Sequence, residues 1–258
     1  MNTKSKKTFS ERNTKSKSQL LIIAEHAGNE IPVEFRNLGL SKSDLRRHIS
    51  HDIGVYGVCE YLSKKVKDQI ILSKFSRLLV DLNRGINSPD CIRHFSDGSF
   101  IPSNIGLAEN EKKSRIRKFY NPFHEKLSDI ISTKKIKIIL SIHSFTPKLC
   151  EENIQRPWHC GILYGFSEKL GNYCIDFLRH NYKFKVGDNE PYGVNNNDDY
   201  IISKFGDKKS IPSIIIEIRQ DLISDYKGQK TWSEIIQNMI ENCLYNYHCL
   251  LYTSDAAD

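Results

Sequence analysis

No apolar run in this 258-residue sequence approaches the ~18 residues needed to cross a bilayer. The opening MNTKSKKTFSERNTKSKS, residues 1–18, is basic and polar and lacks the continuous apolar core of a secretory signal. No membrane partner and a cytoplasmic location are therefore expected, with residues 1–18 read as a disordered basic arm. The seven cysteines are odd in number and never form a CxxC pair, which argues against both a disulfide framework and a thiolate zinc site. They are expected to be reduced and mostly packed as small apolar groups. Neither common Gly-rich phosphate loop is present, and no internal repeat appears. The formal charge of +7 raises the question of nucleic acid. Beyond the arm, however, the lysines are dispersed, so a solvated surface and no nucleic-acid partner are expected. Oligomeric state is not legible.

What the chain does contain is a series of short apolar runs separated by segments of helical period. The runs are QLLIIA at 19–24, QIILS at 69–73, RLLVD at 77–81, KIIL at 137–140, CGILY at 160–164 and SIIIEI at 213–218. Their near-continuous apolar character is that of strands covered on both faces. Helices are expected over 55–66, from 109 to about 131, over 167–180 and over 232–251, with Pro122 breaking or kinking the second. This alternation predicts a three-layer α/β/α domain around a mainly parallel, mixed sheet, occupying residues 19–251 as a single domain. The abrupt change to YTSDAAD marks residues 252–258 as a non-native or disordered tail. The long segments 85–108 and 187–212 lack periodicity, and loops of that length often shape a site.

Ligands of open α/β sheets sit beyond the carboxyl ends of the strands, so polar residues gathered there carry extra weight. His26 to Glu30, DLNR at 81–84, SIHSFTP at 141–147 and IEIRQD at 216–221 are such stretches. Taken alone, His26 also fits a core histidine and His143 a strand-end capping arrangement. Glu217 is harder to explain blandly, because a carboxylate inside SIIIEIRQ costs several kcal/mol unless paired or metal-bound. Two imidazoles and a carboxylate with one open position make a catalytic zinc site. His26 and His143 are the imidazole candidates. Asp52 is the preferred carboxylate, although it also suits a helix cap, and Glu30 is the alternative. His48 and His51 flank Asp52 as candidate supporting donors or exposed helix histidines. One Zn2+ ion is expected, with cobalt, manganese or iron able to substitute. Arg77 and Arg84 supply guanidinium forks for a carboxylate or a polarised carbonyl, and Asn83 adds a neutral donor and acceptor. Glu217 then serves as general base, with Arg219 as the neighbour that holds it.

Taken together, EHAGNEIP at 25–32, HDIG at 51–54, SRLLVDLNR at 76–84, IPSN at 101–104, IHSFTP at 142–147, RPWH at 156–159, DNEPY at 188–192 and EIRQDLI at 217–223 resemble the N-formylglutamate amidohydrolase family. The resemblance runs from about Leu20 to Leu250. It implies a phosphorylase/hydrolase-like α/β/α fold, similar to that of the zinc carboxypeptidases and aspartoacylases, and a small acidic N-acyl amino acid as substrate. N-formyl-L-glutamate, cleaved to glutamate and formate, is the family example; another N-acyl amino acid and a non-catalytic binder of small acidic ligands are the alternatives. DLNR looks like that wider group's carboxylate-binding motif. Catalytic roles are thereby implied for Glu217 and Arg77, and substrate contacts for Asn83, Arg84, Asn104, Ser144, Arg156, Tyr192 and Arg219. The wider group's first ligands fall in His-x-x-Glu, whereas here Asn29 holds the fourth position and Glu30 follows one residue late, so Asp52 and Glu30 both stay open.

Overall fold

The computed structural model describes residues 7–150, 155–194 and 199–247. Its centre is a seven-stranded sheet of order β1-β3-β2-β6-β9-β7-β8. These strands are β1 (Phe9–Arg12), β2 (Leu20–Ala24), β3 (Gln69–Ser73), β6 (Ile138–Phe145), β7 (Cys160–Leu163), β8 (Val186–Asp188) and β9 (Ser213–Arg219). The pairs β2–β3, β2–β6, β6–β9 and β7–β8 are parallel, while β1–β3 and β7–β9 are antiparallel. The fold is thus a mixed, mostly parallel sheet with helices on both sides. A separate hairpin joins β4 (Phe95–Ser96) to β5 (Ser99–Phe100).

The continuous apolar runs follow from burial of both sheet faces. Side chains alternate along a strand. Leu20, Ile22 and Ala24 of β2 accordingly join one core with Ile70, Leu72, Leu140, Ile142, Ile214 and Ile216, while Leu21 and Ile23 join the opposite core with Ile71 and Ile139. The first core is covered by α1 (Val55–Leu62), α4 (Glu168–Tyr182) and α5 (Tyr226–Met239). The second is covered by the long helical segment that contains α2 (Glu109–Arg115) and α3 (Asn121–Thr133). Between those two helices, Ile116–Tyr120 forms a π turn immediately before Pro122. The proline lacks an N–H, and the wider turn re-registers the backbone so that the helix continues. Its disturbance is therefore absorbed rather than ending the segment.

Several elements differ from the sequence reading. Residues 9–12 are not disordered: Phe9 to Arg12 pair with Ser73 to Ile70 and extend the sheet. Phe9 also packs edge-on against Phe123. The short run FSER carries only one large apolar residue, so no period announces it. Residues 77–81 form turns instead of a strand, with the Leu79 N–H bonded to the Ser76 carbonyl at 3.0 Å. Their apolar side chains fill the second core without entering the sheet. Helix α5 begins at Tyr226, ahead of its apolar stripe, because the Asp225 side chain caps it by accepting the Gly228 N–H at 2.8 Å. The segments 1–6 and 252–258, and the expected helix end at 251, lie outside the described residues. Among the described residues, no helix is long and apolar enough to cross a membrane.

Candidate active site

The central parallel strands β2, β6 and β9 bring their carboxyl ends together. Register places His143 of β6 opposite Glu217 of β9. Ile23 of β2 pairs with Ser141, so Glu25, just past the end of β2, comes level with His143. His26 follows at once and is buried. Behind it, Gly28 lets the chain cross against the Lys74 backbone, where a Cβ would overlap main-chain atoms. Asp52 reaches the same point from the loop before α1. Its N–H donates to the His26 carbonyl at 2.9 Å. The α1 N-cap is Gly54, in a left-handed conformation at φ 83°, so the Asp52 side chain is not occupied in capping.

Three carboxylates orient the two imidazoles. Both Nδ1 atoms face Asp52: His143 Nδ1 lies 2.8 Å from Oδ2 and His26 Nδ1 lies 3.8 Å from Oδ1. Each Nε2 meets a different acid. His26 Nε2 donates to Asp81 Oδ1 at 2.7 Å, which leaves its Nδ1 as the lone-pair nitrogen. His143 Nε2 lies 3.0 Å from Glu25 Oε1, an ionic contact, and Glu25 is steadied by the Ser141 hydroxyl, which donates to Oε2 at 2.8 Å. His26 Nδ1 is buried without a hydrogen-bond partner. One ligand atom from each of His26, Asp52 and His143 lies within 4.8 Å of the others, and all three residues are buried. This donor set, with an orphaned ring nitrogen and carboxylates behind both rings, fits a divalent cation of the zinc type.

The electrostatics diverge from residue to residue. Burial alone would raise the Asp52 pKa, but the His143 hydrogen bond and the charges of His26, His143 and Arg77 bring it down to about 2. Asp81 is likewise carried well below the usual carboxylate range: burial opposes this, and the charges of Arg77 and His26 overcome it. For His143, burial favours the neutral ring, yet Glu25 and Asp52 push its pKa well above the ordinary value. His26 goes the other way, lowered by burial and by Arg77 against the pull of Asp81 and Asp52. Glu217 is raised to about 8, first by burial and further by Asp52 and Asp199, with His143 and Arg77 opposing. Its Oε2 is buried without a hydrogen-bond partner.

A cavity of about 560 Å³ opens over this group, lined among others by Arg77, Asn83, Arg84, Ser144, Tyr192 and Glu217. Arg77 is clamped by Asp81, to which its Nε and terminal nitrogen donate at 2.9 and 2.7 Å, and it lies 3.5 Å from Asp52. Asn83 Oδ1 accepts the Ile201 N–H at 2.9 Å, so the amide nitrogen is the donor this side chain can offer. Ser144 donates from its N–H to Asp52 Oδ2 at 3.2 Å and from its hydroxyl to the Ile53 carbonyl at 2.9 Å. The Tyr192 hydroxyl accepts from Arg156 at 2.7 Å, and the Arg156 guanidinium lies over the Tyr192 ring. Arg156 thus supports a lining residue without lining the cavity itself. Both aperiodic segments contribute to the wall, 85–108 through Arg93, Phe95, Ser96 and Asp97, and 187–212 through Tyr192, Gly193 and Asp199.

Other candidates stand elsewhere. Glu30 is exposed and outside the His26–Asp52–His143 group; its backbone bonds to Lys74 and Ser76, and its side chain lines a second hollow of about 910 Å³ that shares Asp52 with the first. His51 also lines that second hollow, whereas His48 lines the first and faces Asp97 at 3.5 Å, so neither supports a ring of the group. Arg219 does not hold Glu217: its Nε donates to Asp221 at 2.7 Å and a terminal nitrogen to the Trp158 carbonyl at 3.1 Å. Asn104 is buried away from the cavity, with its amide fully engaged by Leu78, Arg93 and Arg115. Conversely, Glu25 and Asp81 are site residues that the sequence reading misses. A carboxylate directly after a wholly apolar strand and the acid of DLNR are the signals that point to them.

The model of the N-formylglutamate amidohydrolase family matches residues 18–224, spanning every element that builds the site. The chain belongs to the N-formylglutamate amidohydrolase family. A gene product of Agrobacterium tumefaciens is similar in structure at a TM-score of 0.88 and 29% identity, covering 95% of this chain and 97% of that one. The N-formylglutamate amidohydrolase of Ralstonia eutropha JMP134 aligns at a TM-score of 0.71 and 17% identity, over 91% of this chain and 96% of its own, a likeness of fold. No curated protein sequence matches. Family membership makes this chain a hydrolase of amide bonds.

Proposed function

We propose that this chain is a metal-dependent amidohydrolase that removes the acyl group from a small, acidic N-acyl amino acid, with N-formyl-L-glutamate as the family-implied substrate. The observation that carries this reading is the meeting of His26, Asp52 and His143, buried and within ligand reach of one another, with Glu217 on the wall of the same cavity. His26, Asp52 and His143 would hold the cation, and zinc suits their nitrogen and oxygen donors. When bound, such an ion polarises a carbonyl and brings the pKa of a water toward ~7.

The chain's own groups account for the remaining work. Asp81 and Glu25 keep the two rings fixed from behind, so the Nδ1 atoms stay turned toward Asp52. Glu217 Oε2, buried and without a hydrogen-bond partner, receives the proton of the attacking water and passes it to the departing amine nitrogen. Arg77, locked by Asp81, presents fixed positive charge where the carbonyl oxygen gains negative charge. Asn83 and Arg84 hold the amino acid's carboxylate, which orients the scissile bond and lowers the entropic part of the barrier. Tyr192, braced by Arg156, closes one wall.

A screen for amine release over N-formyl, N-acetyl and N-succinyl amino acids, run on metal-stripped and zinc-reconstituted protein, tests this reading. Turnover that appears only on reconstitution, with an acidic substrate, supports it. A chain that takes up cation and acidic ligand without releasing amine is a binder, and the proposal fails.

A further inference from the structure

Arg77 faces two buried carboxylates, Asp52 and Asp81, and it shares the cavity wall with two further guanidiniums, Arg84 and Arg93. Arg93 is held differently from Arg77. Its side chain is only 20% exposed, and among the described residues its one ion pair is with Asp90 at 4.0 Å, a residue whose own side chain is 54% exposed. Its Nε is buried without a hydrogen-bond partner. Burial, together with the nearby charges of Arg77 and Arg84, lowers its pKa despite the opposing pull of Asp81. A guanidinium withdrawn from water with so weak a counter-ion is costly unless an anion completes it.

The backbone beneath Arg93 is firmly fixed. Asn104 Nδ2 donates to the Leu78 carbonyl at 2.9 Å and to the Arg93 carbonyl at 2.8 Å. Arg115 in turn donates to Asn104 Oδ1 at 2.6 Å. This bracket ties the turn that carries Arg77 to the segment that carries Arg93, and it sets the spacing between the two cations. Asn104 is therefore a positioning residue that acts through those two backbones.

We infer that Arg93 is a specificity-determining residue that pairs with a second carboxylate on the substrate, selecting N-acyl amino acids with an acidic side chain over their neutral isosteres. The inference rests on the amidohydrolase reading for its substrate frame, in which Asn83 and Arg84 take the first carboxylate. A fork-to-carboxylate pair is among the stronger polar contacts, about 1.5–3 kcal/mol, which is about 10- to 150-fold in kcat/KM.

The test compares N-formyl-L-glutamate with N-formyl-L-glutamine, equal in shape and different in charge, on zinc-reconstituted wild type, Arg93→Met and Arg93→Lys. Thermal melts of each variant establish that it is folded. The wild type is expected to prefer the glutamate substrate by at least about 10-fold. Arg93→Met brings the ratio to within about threefold of unity, and Arg93→Lys falls between. A wild type without preference, or an Arg93→Met variant in which both substrates fall in parallel, overturns the inference. Calorimetric titration with glutarate and butyrate reads the same contact without turnover, and the ratio of their affinities should drop about tenfold in Arg93→Met. Should no substrate be hydrolysed while that ratio still depends on Arg93, the hydrolase reading fails and the Arg93 assignment stands. Turnover with no Arg93 dependence in either ratio does the opposite: the hydrolase reading stands and the Arg93 assignment fails.

Discussion

Replacing Asp81 by Asn keeps the side chain's shape and removes its charge. In the native site, Asp81 accepts from His26 Nε2, from the Arg77 fork and from the Asn83 N–H. It is almost fully buried at 1% exposure, so solvent cannot substitute. Two effects follow. Arg77 loses its main counter-charge, and breaking a buried ion pair from one side costs about 3–5 kcal/mol, with the lower end expected for an isostere that still accepts one hydrogen bond. His26 loses the carboxylate that fixes its tautomer, a change worth about 10- to 100-fold in metal affinity. The first is measured by urea unfolding of metal-stripped protein, the second by competition against a chromophoric chelator. Adding Arg77→Met separates them: it removes the stranded cation and should recover about 1–3 kcal/mol of stability without restoring metal affinity. Stability and zinc affinity both within error of wild type in Asp81→Asn would refute the reasoning, because the clamp and the tautomer would then be held by something else.

Three further outcomes are expected. His143 is held protonated by Glu25 and Asp52, and the metal-free Glu217 carboxyl is pushed up to about 8, so cation binding near neutral pH should release at least one proton and affinity should rise by at least about tenfold per pH unit. Calorimetry in buffers of different ionisation heat measures this, and release near zero contradicts it. For the metal-free protein, the Glu217 pKa rises from 4.5 to about 8 on folding, so its contribution to stability is complete below pH 4.5 and is lost as pH climbs through about 8. Urea unfolding at several pH values should show that loss, and Glu217→Gln should flatten it. At Gly54, φ is 83° and a Cβ would overlap the Ile223 carbonyl oxygen. Gly54→Ala is therefore expected to cost about 2 kcal/mol or more and to weaken metal binding by shifting Asp52, read by unfolding and by chelator competition.

The sheet was legible because two buried faces leave no polar position along a strand, as in Leu20–Ala24 and Gln69–Ser73. The same logic misled at residues 77–81. RLLVD is equally apolar, but Arg77 and Asp81 meet across a turn, and burial of Leu78, Leu79 and Val80 needs no strand. Strand β1 was invisible because its stability comes from pairing with β3, a partner far along the chain. In the site, His26, His143 and Glu217 stood out as polar groups where the core demanded apolar ones. Glu25 and Asp81 did not, since their role depends on which ring nitrogen they face, a fact of three-dimensional register. Asn104 and Arg219 were drawn in by neighbouring motifs, and only the geometry reveals that one brackets backbone and the other pairs with Asp221.

Metal content and turnover measured side by side on the wild type and Glu217→Gln bear most directly on the account. One divalent cation per chain is predicted in both proteins, with amine release from N-formyl-L-glutamate falling about 10²- to 10⁴-fold in the variant. A wild type that binds no cation at its His26–Asp52–His143 group, or a Glu217→Gln variant that turns over like wild type, would contradict it.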